Sequence, residues 1–174
     1  MRIDKPGSAL IRGIMSPAIL LAGIADYKHP GVVRKLMQNH GMSQEDAEEL
    51  FEDTKRFLYI CGTNPDGSYG PSHEIDKGWH EFLMFTQDYR NFCTQLFGRF
   101  IDHRPNMPDE AVDRKRPRRT LQAAAEIFGA ANLSRNWAYQ SASGELKTPA
   151  VILANEAGYT VEGPCDSCGC SPCE

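Results

Sequence analysis

The feature that most constrains the fold is a run of apolar and aromatic residues between positions 75 and 100. Its members recur at alternating steps of four and three residues: Ile75, Trp79, Phe82, Thr86, Tyr89, Cys93, Leu96 and Phe100. Such steps keep side chains on one face of an α-helix, and large aromatic residues on that face anchor a hydrophobic core. The pattern predicts one long buried helix over residues 75–97 at the centre of the molecule, ending near Gly98.

Helix caps predict further helices on the N-terminal side of this segment. Ser16 is expected to cap a short buried helix with Pro17 at its first position. Gly41 is expected to end the helix after it, and Ser43 to begin another that carries a stripe of apolar residues.

The C-terminal third gives weaker patterns. Residues 109–116 predict one or two helical turns stopped by Pro117, and Thr120 is expected to cap a further helix. Two short strands are predicted beyond it, at 148–153 and 159–162.

Composition agrees with a soluble, mainly α-helical chain. Of its 174 residues, 41% are hydrophobic and 24% charged, and the formal net charge of -4 excludes a strongly basic, histone-like binder. We predict a compact bundle of four to six helices. Its segments are an N-terminal helical segment (1–42), a helical core domain (43–137), an irregular region or short hairpin (138–162) and a flexible Cys-rich tail (163–174).

The longest apolar run, residues 14–25, does not suit a membrane span. Ser16 and Pro17 interrupt it, and it is shorter than the roughly 18–20 residues that a bilayer requires. Asp4 in front of the run argues against a secretory signal peptide. We therefore predict a cytoplasmic protein with no membrane contact.

Asp76, His80 and His103 form the main candidate site. Asp76 and His80 are four residues apart, which places them on one face of a helix, and His103 follows the predicted helix. A carboxylate and two imidazoles suit Zn²⁺ or a similar cation, so Zn²⁺ is the cofactor considered. The same spacing also fits an ordinary ion pair on a helix surface, or a carboxylate that orients a buried histidine.

The residues around this cluster resemble a known sequence core. Between positions 47 and 137 the chain is similar to uncharacterised bacterial proteins related to the glycine-rich-domain-containing-protein-like family, with the pattern D-x-x-W-H … Y-x-x-x-C … G … H-x-P. The matching residues are Asp76, Trp79, His80, Tyr89, Cys93, Gly98, His103 and Pro105. The resemblance makes Asp76, Trp79, His80, Cys93 and His103 the positions that correspond to the family's core. Because Trp79, Tyr89 and Cys93 lie on the apolar face of the predicted helix, we expect them to be structural.

The chain departs from this pattern at two positions. Phe82 stands where many relatives carry a second histidine, and Asp102 precedes His103 where some carry paired histidines. A hydrogen-bonded structural cluster of Asp76, Trp79 and His80 is therefore the alternative to a metal site.

The C-terminal tail concentrates cysteine. Four of the six cysteines fall within nine residues, and two C-x-x-C units can supply four sulfur ligands to a soft metal. Disulfide formation and thiol exchange are the other two interpretations. The residues concerned are Cys165, Cys168, Cys170 and Cys173.

A basic cluster surrounds Pro117. It could contact phosphate or an acidic partner, although a solvated linker surface is the commoner explanation of such a run. Because no neighbouring aromatic residue is free to stack on bases, we do not expect nucleic acid as a partner. The cluster consists of Arg114, Lys115, Arg116, Arg118 and Arg119.

The sequence lacks a P-loop, a dinucleotide-binding glycine pattern, a G-x-S-x-G elbow and an H-E-x-x-H motif. We favour a small non-enzymatic binding or scaffold module that has a metal site and a thiol-rich tail, and whose partner is another protein or a second copy. One alternative is a metal-dependent hydrolase or oxygenase. Another is a structural component of a larger assembly, such as a phage or secretion particle.

Overall fold

The computed structural model describes residues 16–104, 113, 115–141 and 144–154. Its first three helices, set by caps and one glycine, are α1 (Pro17–Asp26), α2 (Pro30–His40) and α3 (Gln44–Thr63). The side chain of Ser16 accepts a hydrogen bond from the Ile19 amide, and that of Ser43 accepts one from the Asp46 amide. Gly41 ends α2 at a φ of 66°, a conformation that glycine adopts without strain. These caps confirm the three predicted helix ends.

The periodic segment forms two helices where one was predicted. They are α4 (His73–Leu83), capped by Ser72, and α5 (Thr86–Phe97), which ends at Gly98. Between them Phe85 donates its amide to the carbonyl of Phe82 in a tight turn, and Met84 is 76% exposed. The prediction of a single helix over 75–97 is therefore wrong. The two-residue interruption hardly changes the spacing of the apolar residues, so the sequence pattern did not reveal it.

This break determines where the site can form. Asp76 and His103 are 27 residues apart in the sequence, and in one straight helix that separation would be roughly 40 Å. The chain instead turns back after α4, so the segment that follows α5 lies beside α4.

Helix α3 runs through the centre of the core. Ile24 from α1 and Leu36 from α2 belong to the same buried cluster as Phe57 of α3 and Trp79 of α4. Helices α3 and α4 approach very closely, since a Cβ at Gly78 would collide with the hydroxyl of Thr54. The two helices of the predicted 1–42 segment thus share one core with the helices that follow.

The C-terminal part differs from its prediction. Pro117 was expected to stop helical turns at residues 109–116, of which 109–112 and 114 lie outside the described residues. It lies in the first turn of the next helix, α6 (Arg116–Phe128), where a missing amide costs nothing. Thr120, expected to be a cap, lies inside α6 and donates to the carbonyl of Arg116. The remaining elements are two 3₁₀ turns (Ala130–Asn132 and Arg135–Trp137), a two-stranded antiparallel hairpin of β1 (Tyr139–Gln140) and β2 (Leu146–Lys147), and α7 (Pro149–Ala154).

The strand expected at residues 148–153 is wrong, because α7 occupies that stretch. The strand expected at 159–162 lies outside the described residues. The described chain contains seven α-helices and one small hairpin, which confirms the mainly α-helical, compact fold. Within that part of the chain, no helix combines the length and apolar composition needed to cross a bilayer.

Candidate metal centre

The three predicted residues Asp76, His80 and His103 meet at one place. Asp76 and His80 lie one turn apart on α4, and His103 lies in the segment after α5. His103 Nε2 is 2.9 Å from Asp76 Oδ1, so its N–H donates to the carboxylate. His80 Nδ1 is 3.8 Å from Asp76 Oδ2, and the two imidazole centroids are 4.5 Å apart. One donor atom from each residue falls within 4.8 Å of the other two, which is close enough for the three residues to share one ion after a small movement.

The cluster is buried on one side and open on the other. The side chains of Asp76 and His103 are 2% and 7% exposed, whereas that of His80 is 45% exposed. A carboxylate this buried is costly unless it has charged or hydrogen-bonded partners. The exposed imidazole leaves a side on which a bound ion could reach water.

His80 does not stabilise the cluster by hydrogen bonding. Its 3.8 Å separation from Asp76 exceeds hydrogen-bond length, and the indole N–H of Trp79 donates to Tyr89 at 3.0 Å. The hydrogen bond to the carboxylate comes from His103 instead. The geometry therefore differs from the structural cluster of Asp76, Trp79 and His80 that the sequence offered as an alternative.

Trp79, Tyr89 and Cys93 pack behind the site and are fully buried. The Trp79 ring meets the His103 ring edge-on at 4.3 Å, and Tyr89 donates its hydroxyl to the carbonyl of Ile101 at 2.6 Å. Burial raises the pKa of the free Cys93 thiol to about 11, so it is neutral at pH 7 and a poor metal ligand.

The bond between Tyr89 and Ile101 is the feature that sequence reasoning missed. It joins a side chain to a backbone oxygen 12 residues further along the chain. A contact of this kind leaves no periodic pattern. The tyrosine at a matching position of the D-x-x-W-H … Y-x-x-x-C core was the only available indication.

The other predicted site residues lie apart from this cluster. The four tail cysteines and Arg114 lie outside the described residues. Arg116 is buried at the start of α6, while Lys115 beside it is exposed. Arg119 pairs with Asp113 and donates to the carbonyl of Ser68 at 3.2 Å. The described part of the basic cluster is thus divided between buried, paired and exposed side chains.

The family model described as UCP032817-like matches residues 21–127, more than half of the chain. The match includes all three residues of the cluster. No curated protein and no solved structure matches the chain. The resemblance to glycine-rich-domain-containing proteins stays a prediction, because the matching description does not mention that family.

Proposed function

The chain belongs to the UCP032817-like family, and we propose that it is a small binding or scaffold module that holds a divalent transition metal at Asp76, His80 and His103. Zn²⁺ is the first candidate. The observation that carries the proposal is the meeting of one buried carboxylate and two imidazoles within 4.8 Å.

The donor chemistry supports this choice. Imidazole nitrogen and carboxylate oxygen are the usual non-sulfur ligands of Zn²⁺. Ligands at about 2.1 Å from a tetrahedral ion lie about 3.4 Å from one another, so donor atoms that are 4.8 Å apart need to close by about 1.4 Å, whereas His103 Nε2 and Asp76 Oδ1 are already within that distance at 2.9 Å. The exposed side chain of His80 can supply most of that movement by rotation. The positive ion would also compensate the buried charge of Asp76.

A binding role is preferred to catalysis because the sequence carries none of the common enzyme motifs that we searched for. Two cavities in the described part of the chain, of 450 Å³ and 890 Å³, are lined by residues other than these three. Enzyme sites generally enclose most of a small substrate.

Zinc titration of the metal-free protein tests the proposal. To remove competing thiolates, the four tail cysteines are changed to serine in every sample. Competition with a chromophoric chelator should then give one Zn²⁺ per chain. His80→Ala should abolish binding while changing the free energy of unfolding of the metal-free protein by less than about 0.5 kcal/mol, because this exposed side chain is beyond hydrogen-bond distance of Asp76.

His40→Ala is the matched control. His40 also lies beside a carboxylate of α4, 3.1 Å from Glu81, but it is not part of the cluster. This variant should bind Zn²⁺ like the parent. Absence of zinc binding in the parent, or equal affinities of the two alanine variants, would contradict the proposal.

The second candidate is a metal-dependent hydrolase or oxygenase. It is favoured by the three-ligand set with one exposed side, since catalytic zinc and non-haem iron sites keep a coordination position open. Azide added to the Co²⁺-loaded protein should shift the visible spectrum if such a position exchanges. An unchanged spectrum would count against this candidate.

The Cys-rich tail is proposed as a separate soft-metal site. Its support is the spacing of Cys165, Cys168, Cys170 and Cys173 alone. The unaltered reduced chain should bind one Zn²⁺ more than the chain with four serines. Equal stoichiometry, together with fewer than the expected free thiols, would favour the disulfide interpretation.

A further inference from the structure

We propose that Tyr89 is the positioning residue of the metal centre, because its hydroxyl fixes the segment that carries His103 against the helix that carries Asp76 and His80. The inference rests on the proposed function. It assigns to Tyr89 an effect on metal affinity through His103, without contact with the ion.

One hydroxyl connects both parts of the site. Tyr89 accepts a hydrogen bond from Trp79 Nε1 at 3.0 Å and donates to the carbonyl of Ile101 at 2.6 Å. Trp79 lies between the two ligands of α4, and Ile101 lies two residues before His103. This pair of bonds therefore holds the two ligand-bearing segments together, in addition to the direct bond between His103 and Asp76.

His103 needs such an anchor because it lies outside the regular elements. Residues 98–104 belong to neither a helix nor a strand, so no backbone hydrogen-bond pattern fixes their path. The edge of the Trp79 ring, 4.3 Å from the His103 ring, adds a second restraint. Metal sites lose affinity when the residues that orient their ligands are removed, even if every ligand remains.

The hydroxyl is well suited to this role. Trp79, Tyr89 and Ile101 are all fully buried, so water cannot replace either bond without a rearrangement. Burial raises the pKa of Tyr89, and the group therefore stays a neutral donor across the physiological range.

Tyr89→Phe tests the inference, with Tyr139→Phe as its matched control. Tyr139 is also buried, and its hydroxyl donates to the carbonyl of Gly70 at the same distance of 2.6 Å. Each substitution removes one buried hydroxyl and keeps the ring. Both should lower thermal stability, but only Tyr89→Phe should weaken Zn²⁺ binding, by about 10–100-fold. It should also alter the visible spectrum of the Co²⁺-loaded protein, which a purely structural role would leave unchanged.

The outcomes separate this inference from the proposed function. If the parent and Tyr139→Phe bind Zn²⁺ and Tyr89→Phe binds equally well with the same Co²⁺ spectrum, the positioning role is overturned and the metal site stands. If the parent binds no Zn²⁺, both are overturned.

Trp79→Phe tests the positioning role of Tyr89 if Tyr89→Phe fails to fold. It keeps an aromatic ring beside His103 and removes the N–H that orients the Tyr89 hydroxyl. Weaker Zn²⁺ binding in the folded variant supports the inference, and parent-like affinity overturns it.

Discussion

Asp53 and Asp76 are both almost completely buried on helices, yet their surroundings differ in kind. Asp53 of α3 accepts hydrogen bonds from the hydroxyl of Ser134 at 2.6 Å and the amide of Asn136 at 3.0 Å, and Arg56 lies at 3.2 Å. Asp76 of α4 faces two imidazoles instead.

The comparison teaches that the partners, more than the carboxylate, decide what a buried aspartate can do. The hydroxyl, amide N–H and guanidinium around Asp53 act as donors to its carboxylate, so they compensate the buried charge without a bound cation. An imidazole can release its proton and offer the nitrogen to a metal. Asp53 therefore joins α3 to the second 3₁₀ turn, whereas Asp76 is the carboxylate that we propose as a metal ligand.

Exchanging each carboxylate for an amide should separate the two roles most strongly. Asp76→Asn should weaken Zn²⁺ binding by more than about 100-fold, because it removes a ligand and not merely a residue that orients one. Asp53→Asn should leave Zn²⁺ affinity unchanged and lower the free energy of unfolding. Chelator competition and denaturant unfolding measure both quantities. A comparable loss of Zn²⁺ affinity in both variants would contradict the different roles of Asp53 and Asp76.

Stabilisation by bound Zn²⁺ should be kept in Asp53→Asn and lost in Asp76→Asn. Free Zn²⁺ at 100 times its dissociation constant should add about 2.7 kcal/mol to the stability of the parent and of Asp53→Asn. In a chain of this size that corresponds to a rise in melting temperature of roughly 5–10 °C. Asp76→Asn should show no rise. Calorimetry with and without Zn²⁺, on variants whose four tail cysteines are serine, measures these melting temperatures. A full rise in the melting temperature of Asp76→Asn would show that zinc binds at another site.

Ser134→Ala tests the structural role of Asp53 by removing one of its hydrogen-bond donors. Loss of the hydroxyl leaves Asp53 buried with one donor fewer, which should cost about 1–3 kcal/mol of unfolding free energy. Zn²⁺ affinity should be unchanged, because Asp76, His80 and His103 are untouched. A change in affinity without a change in stability would reverse the assignment of the two aspartates.

The two regions also show how far a sequence alone can lead. Helix caps such as Ser16 and Ser43 are local, and the turn that joins Asp76 to His80 is local as well, so both were predictable. The interruption at Met84 and Phe85 was hidden because it barely disturbs the apolar period. The return of His103 to α4 depends on that interruption.

The hydrogen-bond partners of Asp53 could not be predicted either, because they are distant in the sequence. Its partners Ser134 and Asn136 lie 81 and 83 residues away in the sequence. Contacts over such separations are settled by the packing of α3 against the C-terminal turns. No spacing rule connects them.

The smallest effect on Zn²⁺ affinity is expected at another carboxylate–imidazole pair, His29 and Asp88. His29 Nε2 lies 3.2 Å from Asp88, but its Nδ1 accepts the amide of Val32 and caps α2. Both ring nitrogens are engaged, and this pair belongs to no larger group of ligands in the described part of the chain. His29→Asn keeps a good capping residue but loses the ring contacts with Phe82 and Phe85, so it should lower the free energy of unfolding by about 1 kcal/mol.

Zinc titration of His29→Asn tests whether a histidine beside an aspartate is enough for metal binding. Affinity should match the parent, because proximity of an imidazole to an aspartate does not suffice when neither nitrogen is available. If this variant lost zinc as His80→Ala is expected to, binding would depend on histidines outside the Asp76 cluster as well. The distinction drawn from the partners of Asp53 and Asp76 would then fail.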